Sequence, residues 1–115
     1  MTKRESKTGG PEMVIALYRP HPGKDAELRE LIRQHLPTLR TLELATDRPA
    51  VLMRAKDGTY LEVFEWRTGE SAGLAHQHPL VAKIWEAMGK IADFPALEAL
   101  EEAKQRFSHF EPIGL

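Results

Sequence analysis

Cysteine is absent from the 115 residues. That excludes disulfides, thiolate nucleophiles, Cys-ligated zinc and iron–sulfur clusters, and it fits a reducing compartment. No apolar run approaches the ~18 residues of a membrane span. The opening string, Met1-Thr2-Lys3-Arg4-Glu5-Ser6-Lys7-Thr8-Gly9-Gly10, lacks the apolar core of a signal peptide. The expectation is a cytoplasmic protein with no membrane partner. An excess of charge of one sign is also lacking: 16 Lys plus Arg stand against 17 Asp plus Glu, a formal charge of −1. The cations are dispersed, with Arg29, Arg33 and Arg40 interleaved with Glu27 and Glu30. Nothing in that balance calls for nucleic acid.

What is present is ordinary for a globular chain, with 42% apolar and 29% charged residues. A chain of this size makes one domain and buries a core without staples. Residues 1–12 are polar and include Gly9-Gly10-Pro11, which predicts a loose arm ahead of a single domain over 13–115. Met13 to Arg19 is apolar and β-prone, and Pro20-His21-Pro22-Gly23 ends it. Lys24 to Thr41 carries Leu28, Leu31, Ile32 and Leu39 at helical spacing, with Pro37 predicting a kink or break.

Leu44 to Lys56 and Thr59 to Arg67 read as a hairpin about a two-residue Asp57-Gly58 turn. In the second strand Tyr60, Glu62, Phe64 and Trp66 share one face, and Leu61, Val63 and Glu65 share the other. Apolar side chains on both faces predict that both are covered. A second helical region follows, in which Pro79 fits the first helical position after His78. Leu80, Val81, Ile84, Trp85, Met88 and Ile91 form its apolar stripe. Asp93-Phe94-Pro95 predicts a further short helix, and Arg106 to Ile113 a last strand. The order β-α-β-β-α-(α)-β is that of an α+β, ferredoxin-like antiparallel sheet with helices on one face.

Three stretches carry a resemblance to a known family. They are Val14-Ile15-Ala16-Leu17-Tyr18-Arg19, then Asp57 to Trp66, then Ala75-His76-Gln77-His78-Pro79 followed by Ile84-Trp85. Over residues 13–113 the chain resembles the dimeric α+β barrel superfamily, most nearly proteins with an antibiotic-biosynthesis-monooxygenase-like domain. The resemblance implies a homodimer whose sheets pair face to face, which would cover the second sheet face. It also implies a small apolar cavity between sheet and helices. Members include cofactor-free oxygenases, haem degraders and isomerases.

Candidate chemistry is weighed residue by residue. His76 stands ten positions after Trp66, where the superfamily often places a cavity histidine. It is either the catalytic acid/base or a helix-start histidine bonded to backbone or water. His78 reads as the cap before Pro79. The two histidines diverge on a helix and no third ligand follows, so no metal is expected. Trp66 and Phe64 are candidate pocket walls or core anchors. Tyr18, Tyr60 and Arg54 are candidate substrate-binding groups, or rim residues with solvated tips. Glu62 and Glu65 lie on opposite faces and cannot act as a pair, although either can be buried against an arginine. His109 reads as facing the barrel interior or as a bland strand residue.

Haem-degrading members pair a tryptophan and a histidine with an asparagine, and this chain contains no asparagine. Haem is therefore disfavoured and no tightly bound cofactor is expected. Phosphate-loop and dinucleotide glycine patterns are missing, and a hydrolase elbow is not expected. Two readings follow. One is a small-molecule oxygenase or related enzyme acting on a small aromatic or enolisable substrate in an apolar pocket. The alternative is a non-catalytic ligand-binding or structural homodimer.

Overall fold

The structure, a computed structural model, describes residues 9–114. The arm expected over 1–12 falls largely outside them, and residue 12 already belongs to a strand. The chain runs β1 (Glu12–Pro20), α1 (Asp25–Thr41), β2 (Val51–Arg54), β3 (Tyr60–Trp66), α2 (Ser71–Gln77), α3 (Pro79–Ile91), β4 (Ala92–Asp93) and β5 (Glu111–Pro112). The strands form one antiparallel sheet in the order β4-β1-β3-β2-β5.

Register follows from the alternation. Val14, Ala16 and Tyr18 lie opposite Phe64, Glu62 and Tyr60, so these side chains share the face under the helices. The helix layer packs Leu28, Ile32, Leu36 and Leu39 of α1 and Val81 and Met88 of α3 onto it. Both stripes are those of an amphipathic helix.

Several elements depart from the sequence expectation. The first half of the expected second strand, around Leu44 to Ala50, is not a regular strand. Only Ala45 bridges to Trp66, and the ladder resumes at Val51 beyond Pro49, which cannot donate to it. The Asp57-Gly58 turn spans three residues. Gly58 N–H donates to the Ala55 carbonyl at 3.0 Å and only Gly58 has positive φ, at 94°. That is a type I turn closed by a left-handed glycine, not a primed two-residue turn.

Two more departures concern the sheet edges. Asp93-Phe94-Pro95 leads not into an α-helix but into two short 3-10 helices, Leu97–Ala99 and Glu101–Lys104. Ala92–Asp93 pairs with Pro20 and Arg19, and so takes the outer position beside β1. The expected last strand contracts to Glu111–Pro112, and it pairs with β2 on the opposite edge. Neither pairing is local, and local patterning cannot report it. Finally, α1 is unbroken through Pro37. Pro37 lies on the exposed side, so the Arg33 carbonyl that loses its helical donor faces water.

The back face of the sheet is covered only in part. Leu100 and Phe110 of the C-terminal segment pack on Leu17, Met53 and Leu61. At the other end Met13, Ile15 and Val51 remain 53%, 46% and 51% exposed.

α1 ends in a Schellman motif. Glu43 N–H donates to Arg40 O at 3.0 Å and Leu44 N–H to Leu39 O at 2.8 Å, and Leu39 and Leu44 pack together. The motif needs a left-handed residue, and Glu43 occupies that place at φ 60°. A side chain there costs ~1–2 kcal/mol, partly offset by the lower chain entropy of a non-glycine residue. Glu43→Gly should therefore stabilise the fold by roughly 0.5–1 kcal/mol. The check is a rise in the urea midpoint at constant m-value; an unchanged or lower midpoint would refute this account of the helix end.

Candidate active site

An apolar cavity of about 360 Å³ opens between β1, the end of β3 and the helices. Val14, Ala16, Phe64 and Trp66 form its sheet wall, Trp85 and His35 its helix wall. Phe94, turning back from β4, stands edge-to-face on Tyr18 at 5.9 Å and lines the rim. A larger groove of about 740 Å³ runs between α1 and α3, but Glu27, Glu30, Lys83, Glu86 and Lys90 border it. It holds no aromatic or buried polar group. The aromatic cavity has the composition of a ligand site, and the groove has that of a solvated helix seam.

Beneath the cavity lies a buried polar chain. Glu62 of β3 is 4% exposed and His35 of α1 is 2% exposed. The Tyr18 hydroxyl donates to Glu62 Oε1 at 2.8 Å, and His35 Nδ1 meets the same oxygen at 2.9 Å. Trp85 Nε1–H donates to His35 Nε2 at 2.9 Å. An indole only donates, so Nε2 accepts and the ring proton sits on Nδ1, aimed at Glu62. Three elements thus meet on one carboxylate. Burial first, and then the neighbouring Glu62 charge and hydrogen bond, push the Tyr18 phenol well above its ordinary 10.0.

His76 lines the same cavity from α2, exposed on its outer side and packed edge-to-face on Trp85 at 4.6 Å. It is therefore at the mouth. His78 caps α3, its Nδ1 accepting from Leu80 N–H at 3.2 Å. Of the sequence candidates, the structure brings His76, Trp66, Phe64 and Tyr18 to one cavity.

Tyr60 and Arg54 do not join them. The Tyr60 hydroxyl accepts from Arg29 Nε at 2.6 Å and donates to Asp25 at 2.7 Å. Arg54 Nε donates to Glu111 at 3.0 Å. This cluster fastens the start of α1 and the β5 edge. Glu65, on the opposite face from Glu62, is the carboxylate paired with an arginine, Arg48 at 3.0 Å. His109 is exposed. Among the described residues, no three His, Asp or Glu side chains converge as metal ligands, and no helix is long and apolar enough to cross a membrane.

Sequence reasoning passes over His35, and it reads Glu62 only as a carboxylate that could be buried against an arginine and Trp85 only as part of an apolar stripe, because each sits in an otherwise regular element. The available signals are a histidine inside the α1 apolar stripe and a carboxylate on the aromatic face of β3.

It also passes over Gly69-Glu70-Ser71-Ala72-Gly73, which does match the Gly-x-Ser-x-Gly pattern after a strand. The geometry is not that of a nucleophile. Ser71 is buried, its Oγ accepts from Thr68 N–H at 3.1 Å, and its φ is not positive.

No family model matches the sequence, and no curated protein matches it. Among solved structures, the chain is similar to the crystal structure of a "Putative antibiotic biosynthesis monooxygenase" from Bordetella bronchiseptica. The match has a TM-score of 0.60 at 19% identity and covers 75% of this chain and 89% of that one.

Two outcomes follow from the buried chain. Trp85→Phe leaves His35 Nε2 without its donor and should cost about 1–3 kcal/mol in urea unfolding; a smaller loss would mean the bond carries no weight. Tyr18 sets an alkaline limit. Its folded pKa exceeds the unfolded value, so stability is whole below about pH 10 and falls above it by ~1.4 kcal/mol per pH unit. Tyr18→Phe should flatten that decline, and an equally steep variant would refute the assignment.

The sheet order, the register and the similarity to a solved structure agree: this chain has a ferredoxin-like α+β fold, similar to that of the Bordetella protein.

Proposed function

We propose that the chain is a small-molecule enzyme of the oxygenase type, working on a small aromatic or enolisable compound in the aromatic cavity. The observation that carries this reading is one enclosure that joins aromatic walls to an accessible imidazole, His76. The wall rings of Phe64, Trp66 and Trp85 suit a flat ligand, and few polar atoms compete for it.

A methylene activated by adjacent rings or carbonyls gives one proton to His76. The resulting carbanion supplies the electron pair for a bond to dioxygen, and the peroxide formed takes the His76 proton. Loss of the second methylene proton breaks the O–O bond and expels hydroxide, which leaves as water. One methylene and one dioxygen thus become one carbonyl and one water, with no outside reductant. The substrate furnishes the electrons, so no tightly bound cofactor belongs to the reading.

Haem fits the residues poorly. No Lys or Arg lines the cavity to meet its carboxylates, and the chain has no asparagine to complete the haem-degrading set.

A second reading, ligand binding without catalysis, is favoured by a specific observation. The donors of Tyr18, His35 and Trp85 are all committed to partners inside the protein, so none of the three is free to donate a hydrogen bond to a ligand.

The working unit in either reading is a homodimer. Met13, Ile15 and Val51 form an apolar patch on the back of the sheet, and a second copy of that face would bury it.

Native mass spectrometry of freshly purified protein should find a retained small organic molecule. With anthrone as probe, oxygen uptake should match anthraquinone formed, and His76→Ala should slow it ~100-fold or more. Anthrone bound but not turned over favours the second reading, and protein that retains and binds nothing overturns both. In sedimentation over a concentration series the protein should be a dimer and Ile15→Asp a monomer. A wild-type monomer throughout would remove the paired-sheet unit.

A further inference from the structure

The proposed chemistry leaves the buried acid beneath the cavity unused. Glu62 stands between two cavities. On the aromatic side it is screened by Tyr18 and His35, which line that cavity and aim their donors at its Oε1. On the other side Glu62 itself lines a second cleft of about 310 Å³ beneath α1, bordered by Arg33, Arg40, Leu52 and Ile113. Arg33 is exposed and pairs with Glu30, while Arg40 donates to the carbonyls of Thr46 and Arg48. With Glu62 these two arginines give the cleft a charged part that the aromatic cavity lacks, beside an apolar lining of Ile32, Leu36 and Val51.

We propose that Tyr18 and Glu62 form a proton relay from a ligand in the aromatic cavity to the arginine-bordered cleft, a route for protons separate from the mouth of the cavity. The proposal rests on the reading of the aromatic cavity as a ligand site.

The step balances. A ligand O–H or activated C–H bond breaks, and its proton forms a bond to the Tyr18 oxygen, which keeps acceptor capacity while donating. In the same motion the phenol's own proton passes to Glu62 Oε1, 2.8 Å away. The electron pair of the broken bond stays on the ligand, so one negative charge moves from Glu62 to the ligand. Glu62 then gives its proton to water in the cleft.

Tyr18 is a conduit in this scheme. Its raised pKa means that free phenolate does not accumulate, which suits a group that takes one proton as it gives another. His35 is a positioning residue. Its Nδ1–H holds Oε1, and Trp85 occupies its other nitrogen. The titratable or charged groups that face Glu62 are Tyr18 from β1 and His35, Arg33 and Arg40 from α1. Leu52 of β2 and Ile113 are apolar. His76 of α2 reaches this chain only through the Trp85 ring.

The relay is testable with 2-naphthol, a neutral two-ring phenol that becomes a strong acid on excitation. It emits in the near ultraviolet as naphthol and in the blue as naphtholate, and it can be excited beyond tryptophan absorption. Bound to the wild-type protein, it should show the blue band. Tyr18→Phe and Glu62→Gln should each bind it within a few-fold of wild type and lose the blue band at least tenfold. Glu65→Gln, on the opposite face of the sheet and outside both cavities, should keep the band.

Circular dichroism checks that each variant is folded, and either of the two relay variants suffices if the other is not. Loss of the blue band in His76→Ala, with retention in Glu62→Gln or Tyr18→Phe, overturns the relay in favour of proton exit at the mouth. Binding by the wild type without a blue band also overturns the relay and leaves the cavity reading standing. No binding by the wild type overturns both.

Discussion

One buried carboxylate organises the middle of this molecule. Glu62 projects from the central strand into the helix layer, where an unpaired charge would cost several kcal/mol. Satisfying it needs Tyr18 from the neighbouring strand and His35 from α1, and His35 in turn needs Trp85 from α3. The sheet register, the rotation of α1 and the approach of α3 are all bound to one oxygen atom. A shift of β1 by one residue would turn Tyr18 to the other face and orphan the acid. The aromatic cavity is the space left above this chain, so its shape is set by the same hydrogen bonds.

Much of the fold is legible because its signals are local. The alternation in β3 separates Tyr60, Glu62, Phe64 and Trp66 from Leu61, Val63 and Glu65, and the register confirms the division. His78 before Pro79 reads as a cap and is one, since Pro79 has no N–H to satisfy and Leu80 N–H is the next donor in line. Long-range pairing is not legible. Nothing within Ala92-Asp93 or Glu111-Pro112 says which strand each will meet.

The site is legible by halves. Trp66 and His76 follow from position, and Phe64 and Tyr18 from the face they share. Tyr60 obeys the same face rule and stands directly opposite Tyr18, which does line the cavity. Its hydroxyl serves Asp25 and Arg29 at the start of α1 instead. Parity assigns a face, but only the packing of helices assigns a place on it. His35 is the harder case. In the series Leu28, Ile32, His35, Leu36, Leu39 it occupies a core position, and a polar residue there implies a buried partner. Naming Glu62 as that partner requires knowing which strand α1 crosses.

β1 joins the two faces of the sheet in one element. Val14, Ala16 and Tyr18 form cavity wall, and the alternate residues Met13 and Ile15 form the uncovered apolar patch directly behind them. Its outer edge is paired only at Arg19 and Pro20, by the two residues of β4. The strand is therefore held on one edge by β3, on its front by the polar chain, and along most of its back by none of the described residues. Contact that buries Met13 and Ile15 would fix the positions of Val14, Ala16 and Tyr18 through a backbone that has no slack between adjacent residues. In this architecture, a contact on the back face would act on the cavity through the same strand.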